Sequence, residues 1–266
     1  MRGLSDVPWK RCVVAAMVWG VLPTPVHAAV DPAYRALLAT HVRPGTIGGT
    51  RLALVDYRAV QRDPQYPAAL RALAEAKPDQ LTDPRDRFAF WINAYNLLAI
   101  KVVLDQYPTR SIRDGGSLLR PIWKKPAGIV AGREVSLDEV EHGILRKQFR
   151  NPRVHSAIVC ASVSCPDLRA EPYEGGRLDA QLDDAARRFL ANPAKGLVPG
   201  ADGATAKVSS IFDWFAGDFA AGGGVATFLR RYADPGVAAR LAGLTDRGLS
   251  YLPYDWSLND TARDGS

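Results

Sequence analysis

The hydrophobic pattern is strongest between residues 84 and 107, where apolar side chains surround most of the circumference of a helix. Asp83 is placed to cap this helix, Pro84 suits its first turn, and Pro108 follows its end. A helix that is apolar on nearly every face is buried in a protein interior. The pattern therefore predicts that Pro84–Tyr107 is the central helix around which the other elements pack.

Shorter helices and strands are predicted before and after this helix. The pattern indicates a helix around 34–38, a break at Pro44-Gly45 and a mixed signal over 50–57. Further helices are predicted over 68–77, 137–149, 178–190 and 225–232. A hairpin is predicted over 129–135, and extended segments over 204–215 and 249–256. The capping box Ser136–Glu139 marks the start of the 137–149 helix. This mixed order favours a single α+β domain with a long buried central helix, further helices and a small, mostly antiparallel sheet.

The first 28 residues have a different pattern. Lys10 and Arg11 precede an apolar run, Cys12–Leu22, that is too short to span a bilayer, and Val26-His27-Ala28 matches a signal peptidase site. We expect residues 1–28 to be a signal peptide, cleaved after Ala28, and the protein to be exported to the periplasm. The alternative is an N-terminal membrane anchor.

The remaining chain divides simply. Residues 29–48 are predicted to form an N-terminal segment, 49–260 the domain, and 261–266 a polar tail. The sequence predicts no integral membrane segment after signal cleavage, because no later run approaches about 18 uninterrupted apolar residues.

Composition narrows the choice of partners. The chain has 266 residues, 47% of them hydrophobic, and a formal charge of +6, which falls to +4 when the three basic and one acidic residues of the signal segment are removed. The basic residues are scattered, which argues against a nucleic-acid partner. Cys12 would leave with the signal segment, so the mature protein would contain only Cys160 and Cys165. Two cysteines are too few for a scaffold that depends on disulfides.

The stretch Asn151–Pro166 concentrates the candidate chemistry. It contains His155, Cys160, Ser164 and Cys165. The short apolar run within it, bounded by prolines, predicts a buried strand from His155 to Cys160. Side chains alternate along a strand, so His155 and Cys160 are expected to face opposite ways. A histidine partner for Cys160 would then come from elsewhere in the chain.

The helix over 137–149 offers such a partner. Glu141 projects into its apolar arc, and His142 lies at the edge of that arc. A carboxylate in an apolar setting must be paired or protonated. An ion pair of Glu141 with Arg153 or Arg146 is one interpretation, and catalytic support beside His142 is the other.

Two amides on the central helix also lie on its buried surface. Asn93 and Asn96 are close together in helical projection. Buried amides usually hold neighbouring loops through backbone hydrogen bonds. The alternative is that one of them binds substrate or donates to an oxyanion.

Several segments together resemble the bacterial branch of the domain of unknown function 547 family. They are Val55–Tyr57, Phe90–Asn96, Leu137–Arg146, Asn151–His155, Cys160–Pro166, Leu178–Leu182 and Tyr254–Asn259, in the order expected for that family, and the resemblance covers about residues 50–260. The family supplies no established reaction. Relatives outside bacteria keep the cysteine matching Cys160 and replace the one matching Cys165, which implies a chemical role for Cys160 and an auxiliary role for Cys165.

Three functional hypotheses follow. The first is a cysteine-dependent hydrolase or acyltransferase acting on an amide, peptide or thioester, with Cys160 as nucleophile, His142 as base and Glu141 as support. Its candidate substrate-binding residues are Asn93, Asn96, Arg153, His155 and Ser164. The second is a non-catalytic envelope module that binds a peptide, glycan or protein, with a structural Cys160–Cys165 disulfide and a groove lined by Trp91, Trp123, Trp214 and Trp256.

The third hypothesis is a metal site formed by His142, His155, Cys160 and Cys165. Their spacing follows no recognised zinc pattern, so the sequence predicts neither a metal nor a cofactor. The substrate is expected to be a small molecule or a peptide. Cys160 and Cys165 are expected to lie close enough for a reversible disulfide. In the reduced protein, Cys160 is expected to be the more acidic thiol if a protonated His142 lies near it.

Overall fold

The computed structural model describes residues 31–117 and 119–266. The predicted signal peptide and its cleavage site lie outside these residues. Across the described ranges the protein is α+β, with many helices, small sheets and one long central helix. The predicted fold class is confirmed.

The central helix, α4, is Pro84–Leu104. The Asp83 side chain caps it by accepting the N–H of Arg85 at 2.8 Å, and Pro84 occupies the first turn as predicted. The helix ends at Leu104, three residues before the predicted end. Its apolar residues lie at the centre of the first of two large cores.

In the described chain, three α-helices and two strands precede α4, and the buried residues of these helices lie in the same core as α4. They are α1 Pro32–His41, β1 Val42–Ile47, β2 Thr50–Val55, α2 Tyr57–Val60 and α3 Gln65–Glu75. Strands β1 and β2 form an antiparallel hairpin from Val42↔Val55 to Ile47↔Thr50. The predicted break at Pro44-Gly45 is wrong, because Pro44 lies inside β1, in a two-stranded hairpin where proline is tolerated. This pairing ties the predicted N-terminal segment to the predicted domain.

The hairpin expected over 129–135 is present as β3 Pro126–Val130 and β4 Arg133–Ser136, which pair antiparallel. The following helix, Glu139–Phe149, is a π-helix rather than an α-helix. Its N–H groups bond five residues back. Val140, Ile144 and Leu145 are buried, as the apolar arc predicts.

The predicted strand from His155 to Cys160 is wrong. Pro152–Ser156 is a 3-10 helix, followed by an irregular segment. The apolar run is buried, but its backbone forms hydrogen bonds with a side chain and not with another strand. The Asn96 amide donates to Ala157 O at 3.0 Å and accepts the N–H of Val159 at 2.9 Å. The amide of Asn96 takes the place of a neighbouring strand.

Helix α5, Leu178–Leu190, begins and ends as predicted and contributes to both cores. The second core is built from α6 Ile211–Trp214, α7 Ala216–Phe219, α8 Val225–Tyr232, α9 Pro235–Arg240 and a sheet of β5 Leu197–Pro199, β6 Ala206–Val208 and β7 Leu249–Tyr251. In this sheet β6 pairs antiparallel with β5 and parallel with β7. Short 3-10 helices connect these elements at Pro78–Gln80, Ile112–Gly115, Ile122–Lys124, Gly175–Arg177, Ala220–Gly222, Asp246–Gly248 and Thr261–Arg263.

Within the described residues, α4 is also the one helix long and apolar enough to cross a membrane. Most of it is buried in the first core, as expected for the central helix of a globular domain.

Candidate functional site

Cys160 lies at the centre of a cluster of sulfur and hydroxyl groups. Its Sγ is 2.8 Å from Sγ of Cys165, 3.1 Å from Oγ of Ser162 and 3.2 Å from Oη of Tyr254. Both cysteines are free thiols. Burial opposes ionisation of Cys160, but hydrogen bonds from Cys165, Ser162 and Tyr254 outweigh it and lower the pKa of Cys160 from 9.0 to about 7. A substantial fraction of Cys160 is therefore thiolate at neutral pH.

The backbone of the 160–165 loop brings the two sulfurs together. Ala161 has a left-handed conformation with φ of 60°, and its carbonyl accepts the N–H of Asn259 at 3.1 Å. The N–H of Cys160 donates to Cys165 Sγ at 2.8 Å, and the N–H of Cys165 donates to Ser162 O at 3.1 Å. A left-handed alanine costs about 1–2 kcal/mol and is retained where the surrounding structure imposes it, often at functional sites.

Ser164 holds the backbone next to Tyr254. Its Oγ accepts the N–H of Asp255 at 2.8 Å, and its own N–H donates to Asp255 O at 3.2 Å. Val163 N–H likewise donates to Ser257 O at 2.9 Å. These bonds hold the 254–257 segment beside the cysteine loop and place the Tyr254 hydroxyl on Cys160. The contacts of Ser164 are therefore structural, and its substrate-binding role stays a prediction.

A cavity of about 170 Å³ opens onto Cys160. It is lined by Tyr95, Trp123, Asp138, Glu141, His142, His155, Ile158, Cys160, Cys165, Ile211, Trp214, Phe215, Tyr254 and Trp256. Trp214 and Trp256 are stacked with ring centroids 5.7 Å apart, and Trp123 lies 6.0 Å from Trp256. Three of the four tryptophans predicted to line a groove therefore line this cavity. The fourth, Trp91, packs against Phe90.

Glu141 contributes a carboxyl group to the cavity. Tyr95 Oη donates to its Oε2 at 3.2 Å. Burial is the main reason that the pKa of Glu141 rises from 4.5 to about 7, with Tyr95 and the positive charge of Arg146 opposing the rise and the Cys160 charge adding to it. Neither ion pair considered for Glu141 is formed, because Arg153 pairs with Asp179 and Asp183 and Arg146 pairs with Asp218. Glu141 is therefore a carboxyl that can take up and release a proton near neutral pH.

His142 lines the same cavity, but its geometry does not suit a base. Nη1 of Arg146 lies 2.6 Å from His142 Nδ1. A guanidinium only donates hydrogen bonds, so Nδ1 must accept, and the neutral imidazole carries its proton on Nε2. Burial lowers the pKa of His142 below its ordinary value. The acceptor nitrogen of the imidazole is thus already occupied, which argues against His142 as the base for Cys160.

His155 also lines the cavity, contrary to the prediction that it faces away from Cys160. That prediction depended on the alternation of a strand that is not formed. His155 Nε2 lies 2.7 Å from Asp218 Oδ2, and its ring stacks on Phe215 at 4.2 Å. The hydrogen bond from His155, with a further one from Arg146, holds the pKa of Asp218 well below its usual range. His155 anchors α7 to the cavity wall.

The other predicted substrate-binding residues have structural contacts. Asn93 donates to Tyr173 O at 2.8 Å and accepts from Tyr173 N at 2.9 Å, and Asn96 holds the 157–159 segment in the same way. Arg153 pairs with Asp179 and Asp183 of α5, each at 2.7 Å. The structure thus supports the interpretation of both asparagines as loop anchors. It does not place Asn93, Asn96 or Arg153 in the lining of the Cys160 cavity.

A second, larger cavity of about 390 Å³ lies between α1, α3, α4 and residues 173–175. Its walls are mainly apolar, and the half-buried amide of Asn93 is hydrogen-bonded to the backbone of Tyr173. No nucleophilic thiol lies there. Across residues 31–117 and 119–266, no group of three or more His, Cys, Asp or Glu side chains is arranged to hold a metal ion. The smaller cavity is the candidate site because it brings a thiol and a carboxyl of shifted pKa together.

Sequence reasoning missed Tyr254, Ser162, Tyr95 and Asp218. Tyr254 and Tyr95 lie in two of the segments that resemble the 547 family, Tyr254–Asn259 and Phe90–Asn96, and that resemblance was the available signal. Ser162 lies inside the cysteine loop. Asp218 lies in a segment without a recognised motif, and the sequence contains no sign that it meets His155.

Comparison with known proteins adds one observation. The model of a family described as a protein of unknown function, DUF547, matches residues 78–190. Residues 78–190 belong to the DUF547 family. No curated protein and no solved structure matches the chain significantly.

The DUF547 region contains α4, the π-helix, the cysteine loop and α5. Cys160, Cys165, Glu141 and Tyr95 therefore all lie within it. Trp214, Tyr254 and Trp256 come from the chain after the matched region and close the cavity. Cys160 lies in the DUF547 region, whereas Tyr254, which contacts its sulfur, lies outside it.

Proposed function

We propose that this protein is a cysteine-dependent acyl-transfer enzyme, a hydrolase or acyltransferase that acts on an amide, peptide or thioester. The observation that carries the proposal is the Cys160 thiol, which opens onto a cavity with its pKa lowered to about 7 by three neighbouring donors. A thiolate, not a thiol, is the nucleophile in such reactions.

The proposed reaction begins when Cys160 Sγ attacks the acyl carbon of the substrate. The carbonyl π bond opens and its oxygen becomes negatively charged. The hydroxyls of Tyr254 and Ser162, which surround Sγ before attack, are placed to donate to that oxygen. The bond between the acyl carbon and the leaving group then breaks, which leaves a thioester on Cys160.

Glu141 is the proposed proton carrier. Its pKa of about 7 lets it accept the thiol proton and return it to the leaving amine or thiol. Tyr95 holds its carboxyl in the cavity wall through the bond to Oε2. This role replaces the one first assigned to His142, whose Nδ1 accepts from Arg146. Water or a second nucleophile then releases the acyl group from Cys160.

The test is a search for the acyl-enzyme. The reduced protein is incubated with an activated thioester and analysed by peptide mass mapping. An acyl group on Cys160 is expected, absent in Cys160→Ser and retained in Cys165→Ser. Acylation that is spread over lysines and unchanged in Cys160→Ser would refute the proposal.

The stacked tryptophans support a second candidate, a binding module without catalysis. Trp123, Trp214 and Trp256 form an aromatic wall suited to a planar or sugar ring, as in a peptide or glycan. This candidate predicts that Cys160→Ser binds its ligand as tightly as the parent protein. Trp214→Ala would weaken that binding, and quenching of tryptophan fluorescence would report both.

We also propose that the protein is exported to the periplasm, with a small molecule or peptide as partner. The support is the charged start, short apolar run and Val26-His27-Ala28 site in the sequence. Mass spectrometry of the protein isolated from cells is expected to find Ala29 at the N-terminus. A chain that still starts at Met1 would refute cleavage.

A further inference from the structure

An acyl-transfer site needs one nucleophilic sulfur, but here a second sulfur lies in direct contact with the first. Cys165 Sγ lies 2.8 Å from Cys160 Sγ and also accepts the N–H of Cys160 at 2.8 Å. A hydroxyl could donate to the nucleophile equally well, and Ser162 and Tyr254 already do so. Cys165 instead places a second oxidisable sulfur against the first.

The two thiols differ in environment. Cys160 is half-buried and opens onto the cavity, whereas Cys165 is only 4% exposed. Burial raises the pKa of Cys165 well above its ordinary value, and the hydrogen bond to Cys160 adds to this rise. An external reagent therefore meets a reactive Cys160 first, while Cys165 stays protonated until its neighbour has reacted.

The loop can join the two sulfurs with little rearrangement. The left-handed Ala161 and the bond from Cys165 N–H to Ser162 O already hold the four-residue connection in a closed turn. The 254–257 segment fixes the outer side of this turn through Ser164 and Val163. To form a disulfide, the two sulfurs need to come less than about 1 Å closer, from 2.8 Å to about 2.0 Å.

We propose that Cys160 and Cys165 form a thiol–disulfide exchange pair, in which Cys160 attacks a small external disulfide and Cys165 resolves the mixed disulfide. Oxidation of the pair removes the nucleophile and switches off acyl transfer. The inference rests on the proposed function only in taking Cys160 as the attacking thiolate.

The exchange balances in two steps. The Cys160 thiolate attacks one sulfur of R–S–S–R, the external S–S bond breaks, and one R–S⁻ leaves and takes up the proton that Cys160 lost. Cys165 Sγ then loses its proton and attacks Cys160 Sγ. The second R–S⁻ leaves and takes that proton. Two electrons pass from the two cysteines to the external disulfide, which is reduced to two thiols.

Oxidised glutathione is the probe, applied to the reduced full chain. The parent protein is expected to lose both free thiols, gain no lasting glutathione adduct and release two glutathione thiols. Cys165→Ser is expected to stop at a stable adduct of one glutathione on Cys160, and Cys160→Ser to resist reaction. If Cys165→Ser does not fold, Cys165→Ala serves instead, and rapid acid quenching of the parent protein should trap the transient adduct.

Two results would overturn the exchange pair. One is a lasting glutathione adduct on Cys160 of the parent protein. The other is an adduct on Cys165 that forms before any on Cys160. Acylation of Cys160 by the activated thioester separates the two claims. If acylation occurs but no intramolecular disulfide forms, the exchange fails and acyl transfer stands; if Cys160 neither acylates nor exchanges, both fail.

Discussion

The acidity of Cys160 is produced by its neighbours. Burial alone would raise its pKa, but hydrogen-bond donors from its own loop and from Tyr254 lower the pKa by more than burial raises it. The sequence displays the thiol, but Tyr254 is 94 residues further along the chain. A contact between residues so far apart in sequence depends on the hydrogen bonds that hold the 254–257 segment beside the cysteine loop. No local sequence pattern reveals those hydrogen bonds.

The Tyr254→Phe substitution tests whether the Tyr254 hydroxyl lowers the pKa of Cys160. The variant keeps the ring that packs against both Trp214 and Trp256 but loses the hydroxyl 3.2 Å from Cys160 Sγ. A hydrogen bond to a charged group is worth about 1.5–3 kcal/mol, so we expect the pKa of Cys160 to rise by roughly 1–2 units. The pH dependence of Cys160 alkylation measures it. Tyr251→Phe, on the exposed strand β7, is the control and should leave the profile unchanged.

Glu141 makes stability depend on pH with a defined sign. Its folded-state pKa of about 7 exceeds the ordinary 4.5, so the folded state binds the proton more tightly than the unfolded chain. The stability contribution of Glu141 is therefore full below pH 4.5 and is lost as the pH rises to 7.

The Glu141→Gln variant has no carboxyl group to ionise, so it avoids this loss of stability at high pH. Its amide oxygen can still accept the hydrogen bond from Tyr95. We expect the variant to match the parent protein at pH 4 and to be more stable by about 1–3 kcal/mol at pH 8. Urea unfolding at both pH values measures the difference. Glu134→Gln, at an exposed position of β4, should show no such pH dependence. Equal effects of both substitutions would mean that Glu141 is not desolvated.

Among the secondary-structure elements, the central helix was the most predictable. Its apolar circumference, the Asp83 cap and Pro84 are local signals, and each is confirmed. The segment after Pro152 was mispredicted because an apolar run reports burial and not conformation. Asn96 satisfies the backbone that a strand partner would otherwise have bonded. A side chain that acts in this way on a segment 61 residues away cannot be recognised by periodicity.

Asn96→Ala tests the role of this amide. The substitution leaves Ala157 O and Val159 N buried without their partner, at about 1–3 kcal/mol for each group. We expect a loss of roughly 2–5 kcal/mol in the free energy of unfolding, measured with urea. Asn192→Ala is the matched control, since Asn192 also donates to one backbone carbonyl and accepts one N–H, but near solvent. Its loss should be much smaller, and equal losses would contradict the proposed role of Asn96.

For the whole molecule, the site lies where two cores meet. The first core supplies Tyr95 and Cys160, and the region around the second core supplies Trp214 and Phe215. The α+β class follows from the order of helices and strands, which the chain displays locally. The contact between the two cores does not follow from local order, because it depends on which buried faces pack together across more than 50 residues of sequence.

The most direct test of the central claim is the pH profile of Cys160 alkylation in the reduced, full-length protein. Iodoacetamide reacts with thiolates, and peptide mass mapping separates Cys160 from the buried Cys165. The account predicts that the rate at Cys160 reaches half of its maximum near pH 7. A rate that keeps rising through pH 9, as for an ordinary thiol, or a Cys160 that stays unreactive at every pH while the protein is folded, would contradict it.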